Sequence, residues 1–174
     1  MGGIRESCLC REVGALPEAA RAPKRRGMFT LREGRTADGA RAIDIWCAAV
    51  DATHDFLSPR DRAAIEIEVR AFLPAAPLWL AVDEGDRAIG FMLIDAGCME
   101  ALFIDPAYRG QGVGRALVAH ALDLAPQLDT SVNAQNAQAV GFYERLGFVR
   151  IGRSETDDQG RPYPLIHLRH PGAD

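Results

Sequence analysis

The stretch from Ala101 to Val118 leaves few folds open. Ala101-Leu-Phe-Ile104 is an apolar run of strand length, and Asp105-Pro106 ends it, because proline has no N–H to give a ladder. Gly110, Gly112 and Gly114 follow at alternate positions, and Val113, Leu117, Ala121 and Leu124 then recur at helical spacing. Strand, glycine loop and helix in that order make an anion cradle. Glycines let backbone N–H groups close around the ligand, and the start of a helix adds partial positive charge. Arg109 adds a full charge on a forked donor set that suits phosphate. A Walker loop would end in Gly-Lys-Ser/Thr, where this chain has Gly114-Arg115-Ala116. A dinucleotide fingerprint would space its glycines G-x-G-x-x-G, where this chain has G-x-G-x-G.

The rest of the chain supplies the layers around that unit. Met28 to Arg32 reads as a first strand. Ile43, Trp46, Cys47 and Val50 form a helical stripe, with Asp38 placed to cap it. Ser58-Pro59 opens a second helix whose apolar face is Ile65, Val69, Phe72 and Leu73, and Pro74 and Pro77 stop it. Leu78–Val82, Ala88–Ile94 and Cys98–Ile104 form a meander. After the glycine loop and its helix come a strand at Thr130–Asn133 and a helix capped by Asn136 and stopped by Gly147. Strands at Phe148–Ile151 and Tyr163–Leu168 complete one α/β layer domain.

With 174 residues, 48% of them hydrophobic, the chain is long and apolar enough for a full core. A net charge of −4 speaks against a nucleic-acid partner and suits a cationic substrate. No apolar run approaches the ~20 residues of a membrane helix. Cys8, Cys10, Cys47 and Cys98 fit no tetrahedral zinc spacing, so free thiols in a cytoplasmic protein without a metal are expected. Residues 1–27 carry six basic and three acidic residues with no helical or strand period. They read as a disordered extension, with a basic interaction arm as the alternative, followed by a domain at 28–169 and a short tail at 170–174.

Two motifs carry a family resemblance. Arg109-Gly-Gln-Gly-Val-Gly114 matches Arg/Gln-x-x-Gly-x-Gly/Ala, and Asn136-Ala-Gln-Ala139-Val-Gly-Phe-Tyr143-Glu-Arg-Leu-Gly147-Phe148 matches Asn-x-x-Ala-x-x-x-Tyr-x-x-x-Gly-Phe. Together they resemble the GCN5-related N-acetyltransferase (GNAT) family over residues 28–169. Ile45–Ser58, Phe72–Trp79 and Gly152–Leu165 narrow it to a bacterial branch described as peptidyl-lysine N-acetyltransferases. The resemblance implies a mixed, mostly antiparallel sheet splayed between its fourth and fifth strands, with about four helices on both faces. It implies acetyl-CoA as co-substrate and a primary amine, most simply a protein lysine, as acceptor. A small-molecule amine, or a non-catalytic acetyl-CoA sensor, are the competing readings. A monomer or a homodimer is expected, with no membrane partner.

The reaction assigns roles. A lysine amine, with a reference pKa of ~10.4, arrives as ammonium and must lose a proton. The leaving thiolate wants an acid, and the acyl oxygen an N–H donor. Tyr143 is the candidate acid, two helical turns after Asn136, against a core tyrosine as the alternative. Glu100 is a candidate base. Strict alternation sets it on one strand face with Cys98, Leu102 and Ile104, and a salt-bridged glutamate is the alternative. His54, in the loop after the first helix, is a second candidate base, or a loop histidine bonded to Asp55 or to backbone. By the resemblance, Leu102, Phe103 and Ile104 meet the pantetheine arm, with the Phe103 N–H as oxyanion donor. Arg109, Gly110, Gln111, Gly112, Val113, Gly114 and Arg115 hold the pyrophosphate, and Asn136 and Tyr143 complete the coenzyme site. Phe142, Leu146 and Phe148 read as core. Glu155, Asp157 and Asp158 either line the acceptor side or form a solvated turn.

Overall fold

Eight strands form one sheet in the computed structural model, which describes residues 24–26 and 29–172. In chain order the elements are β1 (Lys24–Arg26), β2 (Phe29–Glu33), α1 (Gly39–Asp51), α2 (Pro59–Phe72), β3 (Leu78–Val82), β4 (Ala88–Asp95), β5 (Cys98–Ile104), α3 (Val113–Leu124), β6 (Leu128–Asn133), α4 (Ala137–Arg145), β7 (Val149–Ser154) and β8 (Leu165–His170). Across the sheet they run β1-β2-β3-β4-β5-β6-β8-β7. Among the described residues only β5 and β6 pair in parallel. β1 belongs to the stretch read as a disordered extension, and its three residues pair with Phe29–Leu31. Residues 1–23 lie outside the described residues.

The sheet carries two cores. Val113, Leu117, Val118 and Ala121 of α3 pack with Val140 and Tyr143 of α4 on one face. Ala42, Ile43, Ile45 and Trp46 of α1 pack on the other, with Ile65 and Val69 of α2 at the edge. Strand β4 is buried from Ala88 to Ile94 because both faces are covered. Phe148 is core as expected, with Phe142 and Leu146 packed against it. α2 buries none of its residues; Ile67 is 71% and Phe72 42% exposed. Ile65, Val69 and Phe72 therefore wall a cleft, while Leu73, just past the helix, is buried in the core.

Local signals in the sequence set most helix ends. Ser58 accepts from the Asp61 N–H, Asn136 from the Ala139 N–H, and Gly147 takes the positive φ (91°) that ends α4. Asp38 departs from its expected role. Its carboxylate makes no cap bond to α1 but binds Arg32 at 2.8 and 3.0 Å and accepts from the Arg35 N–H. The last strand begins at Leu165, after Pro164, and runs two residues beyond Leu168. Cys47 is a free thiol, but Cys98 is disulfide-bonded, against the expectation of free thiols; Cys8 and Cys10 lie outside the described residues. Among the described residues no helix is long and apolar enough to cross a membrane.

Two bulges reset the sheet next to the glycine loop. Leu93 pairs with Ala101 and Ile94 with Met99, so Glu100 is an extra residue on β5. The strict alternation expected for Glu100 therefore fails: Met99, not Glu100, shares the α3-side core with Leu102 and Ile104. On β4, Ile89 is extra between Ala81↔Gly90 and Val82↔Ala88, and Gly90 beside it lets α3 approach. A Cβ there would lie 2.7 Å from Ile104 Cδ1 and 3.2 Å from Val113 Cγ1.

Candidate active site

The parallel pairing of β5 with β6 stops after Met99↔Thr130. Beyond it the strands part, between the fourth and fifth strands of the expected scheme. Thr130 Oγ marks the last contact by donating to the Met99 carbonyl (2.9 Å). A cleft of about 410 Å³ opens there, between the strand ends, α2, α4 and the β7–β8 loop. Tyr143, Glu100, His54, Leu102, Phe103 and Asn136 all line it.

The ladder register decides which backbone groups face the split. The Asp105 N–H donates to the Ile89 carbonyl on β4 (2.9 Å). Backbone groups alternate sides along a strand, so Phe103, two residues earlier, also faces β4. Leu102 and Ile104 face the other way, into the split. The expectation of a Phe103 oxyanion donor is corrected accordingly. Its physical reason is the Glu100 bulge, which shifts the frame of β5 by one residue.

Tyr143 reaches the split from α4. It is 6% exposed, and its hydroxyl donates to Met99 Sδ at 3.5 Å. Burial holds the phenol well above its ordinary range, outweighing an opposing hydrogen bond with Thr130. It is therefore a protonated donor at neutral pH, as an acid requires.

The His54 backbone N–H donates to the Val50 carbonyl (2.8 Å), and its ring meets the Thr53 hydroxyl. Thr53 Oγ donates to the Ala49 carbonyl (2.7 Å) and lies 2.8 Å from His54 Nδ1. The single Thr53 hydroxyl proton is already committed, so Nδ1 carries the proton and Nε2 the lone pair. Burial, and then the Arg109 and Arg62 charges, hold the ring below its usual pKa against the pull of Asp55. Glu100 Oε2 is buried at the bulge.

The glycine loop continues β5 past the cleft. Asp105 accepts from the Ala107 N–H (3.0 Å) and pairs with Arg41 of α1, which fixes the strand end. Gly110 and Gly112 take φ of 76° and 83°, in the left-handed region that favours glycine. A Cβ at either would meet nothing within 4 Å. Gly112 is the N-cap of α3 and offers no capping side chain, so the N–H groups of Val113, Gly114 and Arg115 lack intrahelical acceptors. Gly114 works differently: a Cβ there would sit 3.3 Å from Phe142 Cζ, so it allows α3 to approach α4. Gln111 Nε2 folds back on the Ala107 carbonyl (3.2 Å), and the Arg109 guanidinium reaches the Ala49 carbonyl (3.4 Å).

The family profile of the Acetyltransferase (GNAT) domain matches residues 49–163. The chain belongs to the GNAT acetyltransferases. It is 56% identical over 146 residues to the peptidyl-lysine N-acetyltransferase YjaB of Escherichia coli K12, covering 84% of this chain and 99% of that one. It is 27% identical over 134 residues to the peptidyl-lysine N-acetyltransferase YiaC of the same organism, covering 76% and 91%. The solution structure of apo-form YjaB superposes with a TM-score of 0.80 over 83% of this chain and 99% of that one.

GNAT acetyltransferases use acetyl-CoA, and this site fits it. The open left-handed loop and the bare first turn of α3 suit a pyrophosphate. The split between β5 and β6 exposes backbone groups to an extended amide-bearing arm. Among the described residues no cluster of three or more His, Cys, Asp or Glu could hold a metal.

The sequence reading named no role for several residues that meet here. Met99 and Thr130 frame the Tyr143 hydroxyl. Ser131 and Asn133 line the cleft, and Asn133 Oδ1 is buried without a hydrogen-bond partner, a condition that costs about 1–3 kcal/mol. The alternation of Ser131 and Asn133 on one strand face was a readable signal; their neighbours across β8 were not. Asp157 and Asp158 line the cleft, while Glu155 is exposed and paired with Arg153.

Proposed function

We propose that this GNAT enzyme acetylates the side-chain amine of protein lysines in the cytoplasm, as a monomer or a homodimer. Supporting the acceptor are the peptidyl-lysine N-acetyltransferase named YjaB, 56% identical along 99% of its length, and the composition of the cleft wall. Trp46, Val50, Ile65 and Val69 suit four methylenes, and Glu68 and Asp158 suit a cation. The observation that carries the chemistry is the buried Tyr143 hydroxyl at the split, set between Met99 Sδ and the Thr130 side chain.

Acetyl-CoA supplies an acetyl group activated as a thioester. The N–H groups at the start of α3, with Arg109 and Arg115, hold its pyrophosphate. The Leu102 and Ile104 backbone groups meet the pantetheine arm and the acyl oxygen. Tyr143 gives its proton to the leaving sulfur. Burial makes a tyrosinate costly there, so the residue regains a proton from the reacting amine. Glu100 adds negative charge opposite the incoming ammonium.

The test is incubation with isotope-labelled acetyl-CoA and a panel of lysine peptide, polyamine and aminoglycoside, read by mass spectrometry. Label on the peptide's lysine side chain is expected. Label confined to a small amine would replace the acceptor reading, and none at all would leave a coenzyme-binding protein.

A further inference from the structure

We infer that Ser131 and Asn133 form the socket for the acceptor ammonium, and that His167, behind Ser131, takes its proton. This rests on the amine-acetyltransferase reading above. Strand alternation puts both residues on one face of β6, while Thr130 before them and Val132 between them turn to the Met99 and Tyr143 side. One short strand thus presents the amine side and the acid side to the same split.

The connections are specific. Ser131 Oγ lies 2.9 Å from His167 Nδ1, its direct neighbour across the β6–β8 ladder. His167 Nε2 lies 2.7 Å from Ser154 Oγ. The residue opposite His167 on β7 is Gly152, where a Cβ would touch the ring's Cδ2 at 3.4 Å. The ring is therefore free to lean along the strand to Ser154. Both ring nitrogens meet hydroxyls, which accept or donate as the ring changes charge. β7 is exposed along Val149–Arg153, so the chain of groups ends at solvent.

Asn133 lines the same cleft, and its buried Oδ1 lacks a donor. A carbonyl oxygen takes an N–H and repels another oxygen, which selects an amine. His54 is held below its usual pKa by burial first, and then by Arg109 and Arg62, which oppose a further cation. On the His167 face the charged groups are Asp129 and Arg169, which pair with each other at 2.7 Å. Arg153 pairs with Glu155 on β7, and Arg161 bridges Glu68 and Asp157 beside the cleft. Glu100 and Asp158 complete the acidic wall.

In the transfer a C–N bond forms and the thioester C–S bond breaks. The ammonium gives up two protons. The first goes to Ser131 Oγ as Ser131 passes its own to His167 Nδ1; the imidazolium's Nε2–H then donates to Ser154 and the proton leaves to water. The second replaces the proton that Tyr143 gave to the sulfur.

The test uses the full chain and Nα-acetyl-lysine amide as the amine. His167→Gln should lower kcat/KM about 10²-fold near pH 7 and much less near pH 9.5, where more amine is already neutral. Asn133→Leu should raise KM for the amine about tenfold with less effect on kcat, and acetyl-CoA Kd should hold in both variants. Independently of turnover, the long-range ¹H–¹⁵N spectrum of the free protein should show His167 as the Nε2–H tautomer, and Ser131→Ala should disturb it. A pH-independent loss in His167→Gln, or an Nδ1–H tautomer, overturns the relay. A wild type that acetylates no amine overturns the acetyltransferase reading instead, while the tautomer still decides the relay.

Discussion

Tyr143 Oη donates to Met99 Sδ across 3.5 Å, and this bond joins α4 to the last paired residue of β5 before the split. A thioether is a weak acceptor, so this bond places the phenol at little cost to its release, beside its hydrogen bond with Thr130. Met99→Leu keeps the volume and removes the sulfur. Turnover should fall by less than about tenfold, and stability should change by under ~1.5 kcal/mol. Steady-state kinetics with a chemical melt check it; a hundredfold loss would make the sulfur essential to placing the phenol.

Gly112→Asp should abolish acetyl-CoA binding. The substitution sets a carboxylate where the pyrophosphate must approach the first turn of α3, and a side chain at φ 83° costs about 1–2 kcal/mol. Titration calorimetry should show no binding, and circular dichroism a folded protein. Unchanged affinity would remove the loop from the coenzyme site.

Gly90→Ala tests the approach of α3. Its Cβ would meet Ile104 at 2.7 Å and Val113 at 3.2 Å. Overpacking of this kind costs about 1–3 kcal/mol and should displace the start of α3, so denaturation midpoint and acetyl-CoA affinity should fall together. A loss of stability with full affinity would show that the cradle is insulated from β4.

Asp105→Asn tests the tie between the loop and α1. Burial alone would raise the Asp105 pKa, but the Ala107 N–H and Arg41 outweigh it and hold the carboxyl below its usual value. A depressed folded pKa means that the stabilisation is present above the unfolded value, ~3.9, and is lost as pH falls through the folded one. The variant should be less stable by about 1–3 kcal/mol near neutral pH, and the difference should shrink in acid. Melts across pH check this; a gap that persists below the folded pKa would mean that lost packing, not charge, is responsible.

The glycine loop and the Asn136–Tyr143 helix were legible because each is a local pattern whose spacing is its geometry. Gly110 and Gly112 needed only their identity to announce left-handed backbone. Gly114 looked the same in sequence, yet its reason is Phe142, a neighbour 28 positions away. The frame of β5 was not legible. One extra residue at Glu100 turns Phe103 toward β4 and opens Leu102 and Ile104 instead, and nothing in Cys98-Met-Glu-Ala101 marks a bulge. His167 was missed for a related reason. It becomes part of the site through the β6–β8 register, a long-range pairing that local periodicity does not encode.

The most direct test of the account is single-turnover transfer from acetyl-CoA to a lysine peptide by Tyr143→Phe. The ring stays in the core, so melting temperature and acetyl-CoA affinity should hold. Turnover should drop by about 10²–10⁴-fold, the range for a lost general acid. Wild-type turnover in a variant that melts normally would contradict the account, because the buried hydroxyl at the split would then take no part in releasing the thiol.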